Sequence, residues 1–121
     1  MKRAFITGGS GHVGANLIRK LINQGWRVRC LVHNDTRALE GLDVDCVSGD
    51  LLDEDFLSQQ MQGCYAVFHA AANVAIENID LALMEKINID GTRSMCNAAL
   101  HSDIGRFVHF SSIHAFEQKP L

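Results

Sequence analysis

No stretch of this chain approaches the ~20 consecutive apolar residues needed to cross a bilayer, and the first residues run straight into a strand pattern, not into a secretion signal. A cytoplasmic location and no membrane partner are therefore expected. A basic run is missing too: Lys2, Arg3, Arg19, Lys20, Arg27, Arg29 and Arg37 are scattered, and the formal net charge is −3. That balance leaves no electrostatic footprint for nucleic acid. The four cysteines, Cys30, Cys46, Cys64 and Cys96, form no Cys-x-x-Cys pair and have no zinc-ligand spacing around them. They read as reduced thiols, with Cys30 and Cys46 acting as small hydrophobes in strands. His69, His101, His109 and His114 likewise have no partner at metal-binding spacing, so no metal site is expected. Low-complexity sequence is absent, which excludes a disordered linker.

What is present is one domain's worth of globular sequence, residues 1–121. Its apolar fraction of 47% and charged fraction of 21% are ordinary for a chain that buries a core.

The stretch from Ala4 to Gly14 organises the rest. Ala4-Phe5-Ile6-Thr7 is an apolar strand pattern, and Gly8-x-x-Gly11-x-x-Gly14 follows it into a helical one. In such a motif the first glycine makes a tight turn, the second lets the backbone approach an anion, and the third lets helix pack close on strand. The turn aims free N–H groups and the positive end of the helix dipole at one place, so a pyrophosphate is the natural guest. A ligand-free glycine loop is the competing reading, and the strand before and helix after weigh against it.

Further along, Val13, Leu17, Ile18, Leu21 and Ile22 recur at helical spacing, with Gly25 as the stop. Arg27–Val32 reads as a second strand, Thr36–Gly41 as a short helix, and Val44–Ser48 as a third strand. A helix follows around Glu54–Gln62. The apolar run Tyr65–His69 suits a parallel strand covered on both faces. A loop is expected from Asn73 to Asp80, a long helix from about Leu81 to His101, and a fifth strand from Arg106 to Ser111. Gly91, in the middle of the long helix, weakens it by ~1 kcal/mol relative to alanine and marks a place of close approach. Alternating strands and helices with short connections predict an α/β, Rossmann-type doubly wound parallel sheet, strand order 3-2-1-4-5, with helices on both faces. A ligand then lies beyond the carboxyl ends of the strands, at the switch between strands 1 and 4. His12 and His33 fall beside the phosphates in that arrangement.

Five segments in order, Thr7–Gly14, Gly49-Asp50-Leu51-Leu52-Asp53, His69-Ala70-Ala71-Ala72, Asn88-Ile89-Asp90-Gly91-Thr92 and Phe110-Ser111-Ser112, resemble the successive motifs of the extended short-chain dehydrogenase/reductases. Within them the chain looks most like the NAD-dependent epimerase/dehydratase group and its dihydroflavonol-reductase-like relatives. The resemblance implies that Gly8, Gly11 and Gly14 form the pyrophosphate loop, lined by Ser10, His12 and Val13. It implies that Asp50 and Leu51 hold the adenine and that Ala70, Ala71 and Ala72 back the nicotinamide ribose. Asn88 would be the structural asparagine of the fourth helix, and Ser112 the serine that hydrogen-bonds the oxygen of a small-molecule substrate. The implied chemistry is hydride transfer to or from a carbonyl or carbinol.

The family's proton donor, the tyrosine of Tyr-x-x-x-Lys, has no counterpart: the one tyrosine, Tyr65, is followed four residues later by His69. The resemblance therefore implies the N-terminal portion of a larger enzyme, without its substrate-binding region. The alternative is a non-catalytic dinucleotide-binding or regulatory module. Cofactor choice turns on the end of strand 2, where an acid would suit NAD and a cation the 2′-phosphate of NADP. Val32 and His33 stand there, with Arg37 nearby, which leans toward NADP; Asp35 reaching back to the ribose would reverse the choice. A portion of this kind leaves strand 5 as an uncovered edge, through which self-association is expected.

Overall fold

The computed structural model describes residues 1–8, 12–32, 39–70 and 81–110, with the side chains of His12, Leu81 and Met84 left out. In chain order the elements are β1 (Arg3–Thr7), α1 (His12–Asn23), β2 (Arg27–Val32), β3 (Asp45–Ser48), α2 (Glu54–Met61), β4 (Ala66–His69), α3 (Leu81–Leu100) and β5 (Arg106–His109). The sheet order is β3-β2-β1-β4-β5, all neighbours parallel, as the alternation of elements predicts.

β1 is the centre of that sheet because its side chains are wanted on both faces. Ala4 and Ile6 point to one side, where they pack with Ile18 and Leu21 of α1 and Val28, Cys30 and Val32 of β2. Phe5 points to the other, among Leu57 and Met61 of α2, Val67 of β4, and Met95 and Ala98 of α3. One helix thus covers one face and two cover the other, the doubly wound arrangement. A continuous apolar run such as Ala66-Val67-Phe68 is what a strand needs when both its faces are covered.

Local signals set the helix ends. α1 stops where Gly25, at φ +88, takes the left-handed conformation that the preceding helix cannot, and Trp26 N–H donates back to the Leu21 carbonyl at 2.9 Å. α2 starts at Asp53, whose Oδ1 accepts from Phe56 N–H at 3.1 Å, with Glu54 and Asp55 complementing the dipole in the first turn. Asp53→Ala is expected to cost ~1 kcal/mol, read as a lower denaturant midpoint at unchanged slope. Asn97 Nδ2 donates to Glu54 Oε1 at 2.8 Å, and the Ser58 and Ser102 hydroxyls are 3.0 Å apart, so α2 and α3 are tied together beyond their apolar contact.

Three expectations need correction or limits. Cys46 is exposed, whereas Cys30, its register partner, is fully buried. β3 is an edge strand of the sheet, with β2 on one side only, and Cys46 on it is left exposed. Tyr65 is 40% exposed and precedes β4, so it is not a core residue. The short helix across Thr36–Gly41 falls mostly outside the described residues; its tail is a turn in which Leu42 N–H donates to the Leu39 carbonyl at 3.1 Å. The loop expected at 73–80 and the sequence from Ser111 onward also lie outside them.

Candidate dinucleotide site

Parallel strands place all their carboxyl ends on one edge, and the predicted residues that are described gather there. Gly8 follows β1 with φ +76, a conformation that a side chain disfavours, and so turns the chain off the strand toward α1. Gly14 is buried in the first turns of α1, while Val13 points outward at 53% exposure. Past β4, Ala70 N–H donates to the Thr7 carbonyl at 3.1 Å, which holds the end of β4 against the end of β1. Past β3, Asp50 is exposed; its Oδ1 accepts from Leu52 N–H at 2.9 Å, and no other partner is recorded for it among the described residues. The second carboxylate oxygen has no hydrogen bond among the described residues.

Leu51 is half-buried because its side chain lies on α3 where Gly91 stands. A Cβ at Gly91 would meet Leu51 Cδ2 at 2.6 Å, so the glycine that weakens the helix is what admits this contact. Close approach at Gly91 was legible in the sequence; its partner was not. Ser10, Gly11, the side chain of His12, His33, Arg37, Ala71, Ala72 and Ser112 lie outside the described residues.

Tyr65 stands at the amino edge of the sheet, before β4, where Lys2 Nζ is 4.5 Å from its ring centroid. It is at the opposite end of the strands from Gly8, Asp50 and Ala70. A proton donor for chemistry at the carboxyl edge is therefore not supplied by this tyrosine.

The same edge holds a constellation around His69, which has no metal-ligand partner at the right spacing in the sequence. His69, at the end of β4 and 1% exposed, has Nδ1 2.7 Å from Thr7 Oγ1 of β1 and Nε2 3.2 Å from Thr92 Oγ1 of α3. A neutral imidazole suits two hydroxyls, since one nitrogen donates and the other accepts. Burial, with the neighbouring His109 adding to it, pushes the His69 pKa down to about 4. The His109 ring stacks on it at 5.4 Å between centroids. Position at adjacent strand ends, β1 and β4, was the signal available in the sequence; Thr92 was not legible. Among the described residues no group of three or more metal-ligating side chains occurs, and no helix is long and apolar enough to cross a membrane.

A parallel doubly wound sheet with a glycine turn after its first strand, at the carboxyl ends of the strands, defines a dinucleotide-fold domain. The sequence model of the NAD dependent epimerase/dehydratase family matches residues 4–120, and the chain belongs to that family. It is 44% identical over 117 residues to a putative dihydroflavonol 4-reductase of Synechocystis, covering 95% of this chain and 34% of that protein. Among solved structures, gox2253 superposes with a TM-score of 0.87 at 31% identity, covering 98% of this chain and 37% of that one. The Bordetella bronchiseptica enzyme WbmH, solved in complex with NAD+, superposes with a TM-score of 0.76 at 26% identity, covering 93% of this chain and 40% of that one. The chain spans about a third of the length of the curated relatives it matches.

Proposed function

We propose that this chain is the dinucleotide-holding part, a single domain over residues 1–121, of a cytoplasmic NAD(P)-dependent oxidoreductase or nucleotide-sugar epimerase/dehydratase of the extended short-chain type. The observation that carries the reading is the convergence of Gly8, Gly14, Asp50 and Ala70 at one edge of the sheet, on the described side of a Gly-x-x-Gly-x-x-Gly turn. The described residues fit the group: Gly8 turns off β1 just before the start of α1, and the one side-chain hydrogen bond recorded for Asp50 among the described residues uses Oδ1, leaving its second oxygen for a donor. When bound, a nicotinamide dinucleotide supplies a hydride or accepts one.

Each residue then has a task. Backbone N–H groups from Gly8 to Gly14, with Ser10, His12 and Val13 around them, take the pyrophosphate. The second oxygen of Asp50 accepts from the adenine amine, and Leu51, seated on α3, offers an apolar wall. Ala70, Ala71 and Ala72 leave room for the nicotinamide ribose, and Ser112 hydrogen-bonds the oxygen of a small-molecule substrate. His33 and Arg37 after β2, with no acid at Val32, favour NADP; Asp35 on the ribose would favour NAD. The second reading, a dinucleotide-binding module without chemistry, is favoured by the place of Tyr65, on the wrong edge to give a proton.

Calorimetric titration of the chain with NADP and with NAD tests the site. Saturable binding is expected, tighter for NADP, and Gly11→Val is expected to abolish it, because a branched side chain takes the place of the pyrophosphate. Unchanged affinity in Gly11→Val would refute the assignment. The β5 edge carries Val108 and Phe110 at 37% and 38% exposure, and β5 pairs only with β4 among the described residues. A second copy of the chain is the proposed partner of that edge. Light scattering is expected to give a mass above that of one chain; a monodisperse monomer argues against it.

A further inference from the structure

The opposite, amino edge of the sheet holds a cleft of about 380 Å³ lined in part by Arg3, Trp26, Arg27, Arg29, Asp43 and Asp45. Its charges are arranged unevenly. In the upper row Arg29 faces its register partner Asp45, Nε to Oδ2 3.0 Å, and its Nη1 also donates to the Gln60 carbonyl at 3.2 Å. That row is internally neutral. In the row below, Arg3 of β1 and Arg27 of β2 are register partners, two guanidinium-bearing residues on neighbouring strands. Neither has a recorded side-chain hydrogen bond or ion pair among the described residues, and Asp43, which lines the same cleft, pairs with neither.

Like charges directly opposite one another on paired strands are destabilising. Asp45 is taken up by Arg29, and Asp43 lines the cleft without an ion pair to Arg3 or Arg27 among the described residues. The Cys64 thiol beside it is buried, and burial pushes its pKa up against the pull of Arg29 and Arg3, which disfavours a compensating thiolate there. Lys2 is turned to the rings of Trp26 and Tyr65, 5.5 Å and 4.5 Å from their centroids, and adds a further positive charge at the rim.

We propose that this cleft is an anion site, in which Arg3 and Arg27 together grip one oxyanion of the phosphate class. Planar guanidiniums present paired donors that match phosphate oxygens. Two of them on adjacent strands carry two positive charges, which a dianion neutralises, while Asp43 and Asp45 at the border repel any anion and so limit its affinity. The site is at the other end of the strands from the dinucleotide edge, so it stands or falls separately. The phosphate chemistry has two sources, free inorganic phosphate or a lipid phosphomonoester headgroup.

The test is a titration of the isotope-labelled chain with inorganic phosphate at low salt, followed by amide and indole shifts, with flotation on phosphatidic-acid vesicles beside it. Expected are saturable shifts at Arg3, Trp26 and Arg27, separable from any at Gly8 and Gly14 because only the former weaken, about tenfold or more, in Arg27→Ala. Because Arg27 is exposed, that variant is expected to fold. Arg27→Glu, which gives Arg3 an opposite charge, is expected to raise the melting temperature of the ligand-free chain and to remove the phosphate response. Binding to vesicles alone, lost in Arg27→Ala, assigns the source to a lipid headgroup and supports the site. Shifts confined to Gly8 and Gly14, a response unchanged in Arg27→Ala, or none to either probe would each overturn it.

Discussion

Replacing Phe5 with alanine is expected to lower the stability of the chain by ~3–5 kcal/mol. Phe5 is fully buried on the central strand, in one cluster with residues of α2, α3 and the neighbouring strand β4. The ring is too large for its neighbours to close over, because β1 is fixed by its pairing with β2 on one side and β4 on the other. The residual cavity therefore adds to the lost transfer energy. A domain is stable by only ~5–15 kcal/mol, so the loss is a large fraction of the whole. Urea denaturation of Phe5→Ala beside Val13→Ala checks this, since Val13 is 53% exposed and its truncation is expected to cost under ~0.5 kcal/mol. A Phe5→Ala cost near that of Val13→Ala would mean that β1 is not the strand around which the core forms.

Acid is expected to destabilise the chain through His69. Its folded pKa, about 4, is below the unfolded value of 6.5, so the unfolded state binds the proton first. The stability that the neutral imidazole contributes is fully present above pH ~6.5 and is lost as pH falls toward ~4, in total ~3 kcal/mol. Protonation also takes the acceptor away from whichever threonine hydroxyl donates to the ring, so the tie between β1, β4 and α3 is broken. Unfolding free energies measured across that window are expected to fall in the wild type. In His69→Gln, which cannot titrate, the curve is expected to start lower and to be flatter between pH 6.5 and 5, above the carboxylate range. Parallel curves for the two proteins would contradict the assignment.

The strands were legible because those of a parallel sheet covered on both faces read as apolar runs, and the helices because their apolar residues recur at helical spacing. Strand order followed from alternation and right-handed crossovers, and the glycine turn at Gly8 from its spacing together with the apolar run before it and the helical pattern after it. Less legible was whatever depends on what lies across space. Cys46 and Cys30 have the same strand context in sequence, yet only one is covered, because β3 is at the edge. His69 showed no partner by sequence spacing, and it is the fold that brings Thr7 and Thr92, 62 and 23 residues away, to its two nitrogens. The opposition of Arg3 and Arg27 needs the register of β1 on β2, which no local pattern gives. Leu51 and Asp50 were picked as neighbours at one strand end. Their differing postures, one packed on Gly91 and one exposed, come from α3 lying beside the β3 turn.

The central claim is that the carboxyl edge of the sheet holds a dinucleotide. Amide shift mapping of the labelled chain during titration with NADP and NAD tests it most directly. Shifts are expected at Gly8, Gly14, Asp50, Leu51 and Ala70, with Arg27 and Tyr65 at the far edge unmoved. A dinucleotide that moves the far edge and leaves Gly8 and Asp50 untouched, or that moves neither, would contradict the account.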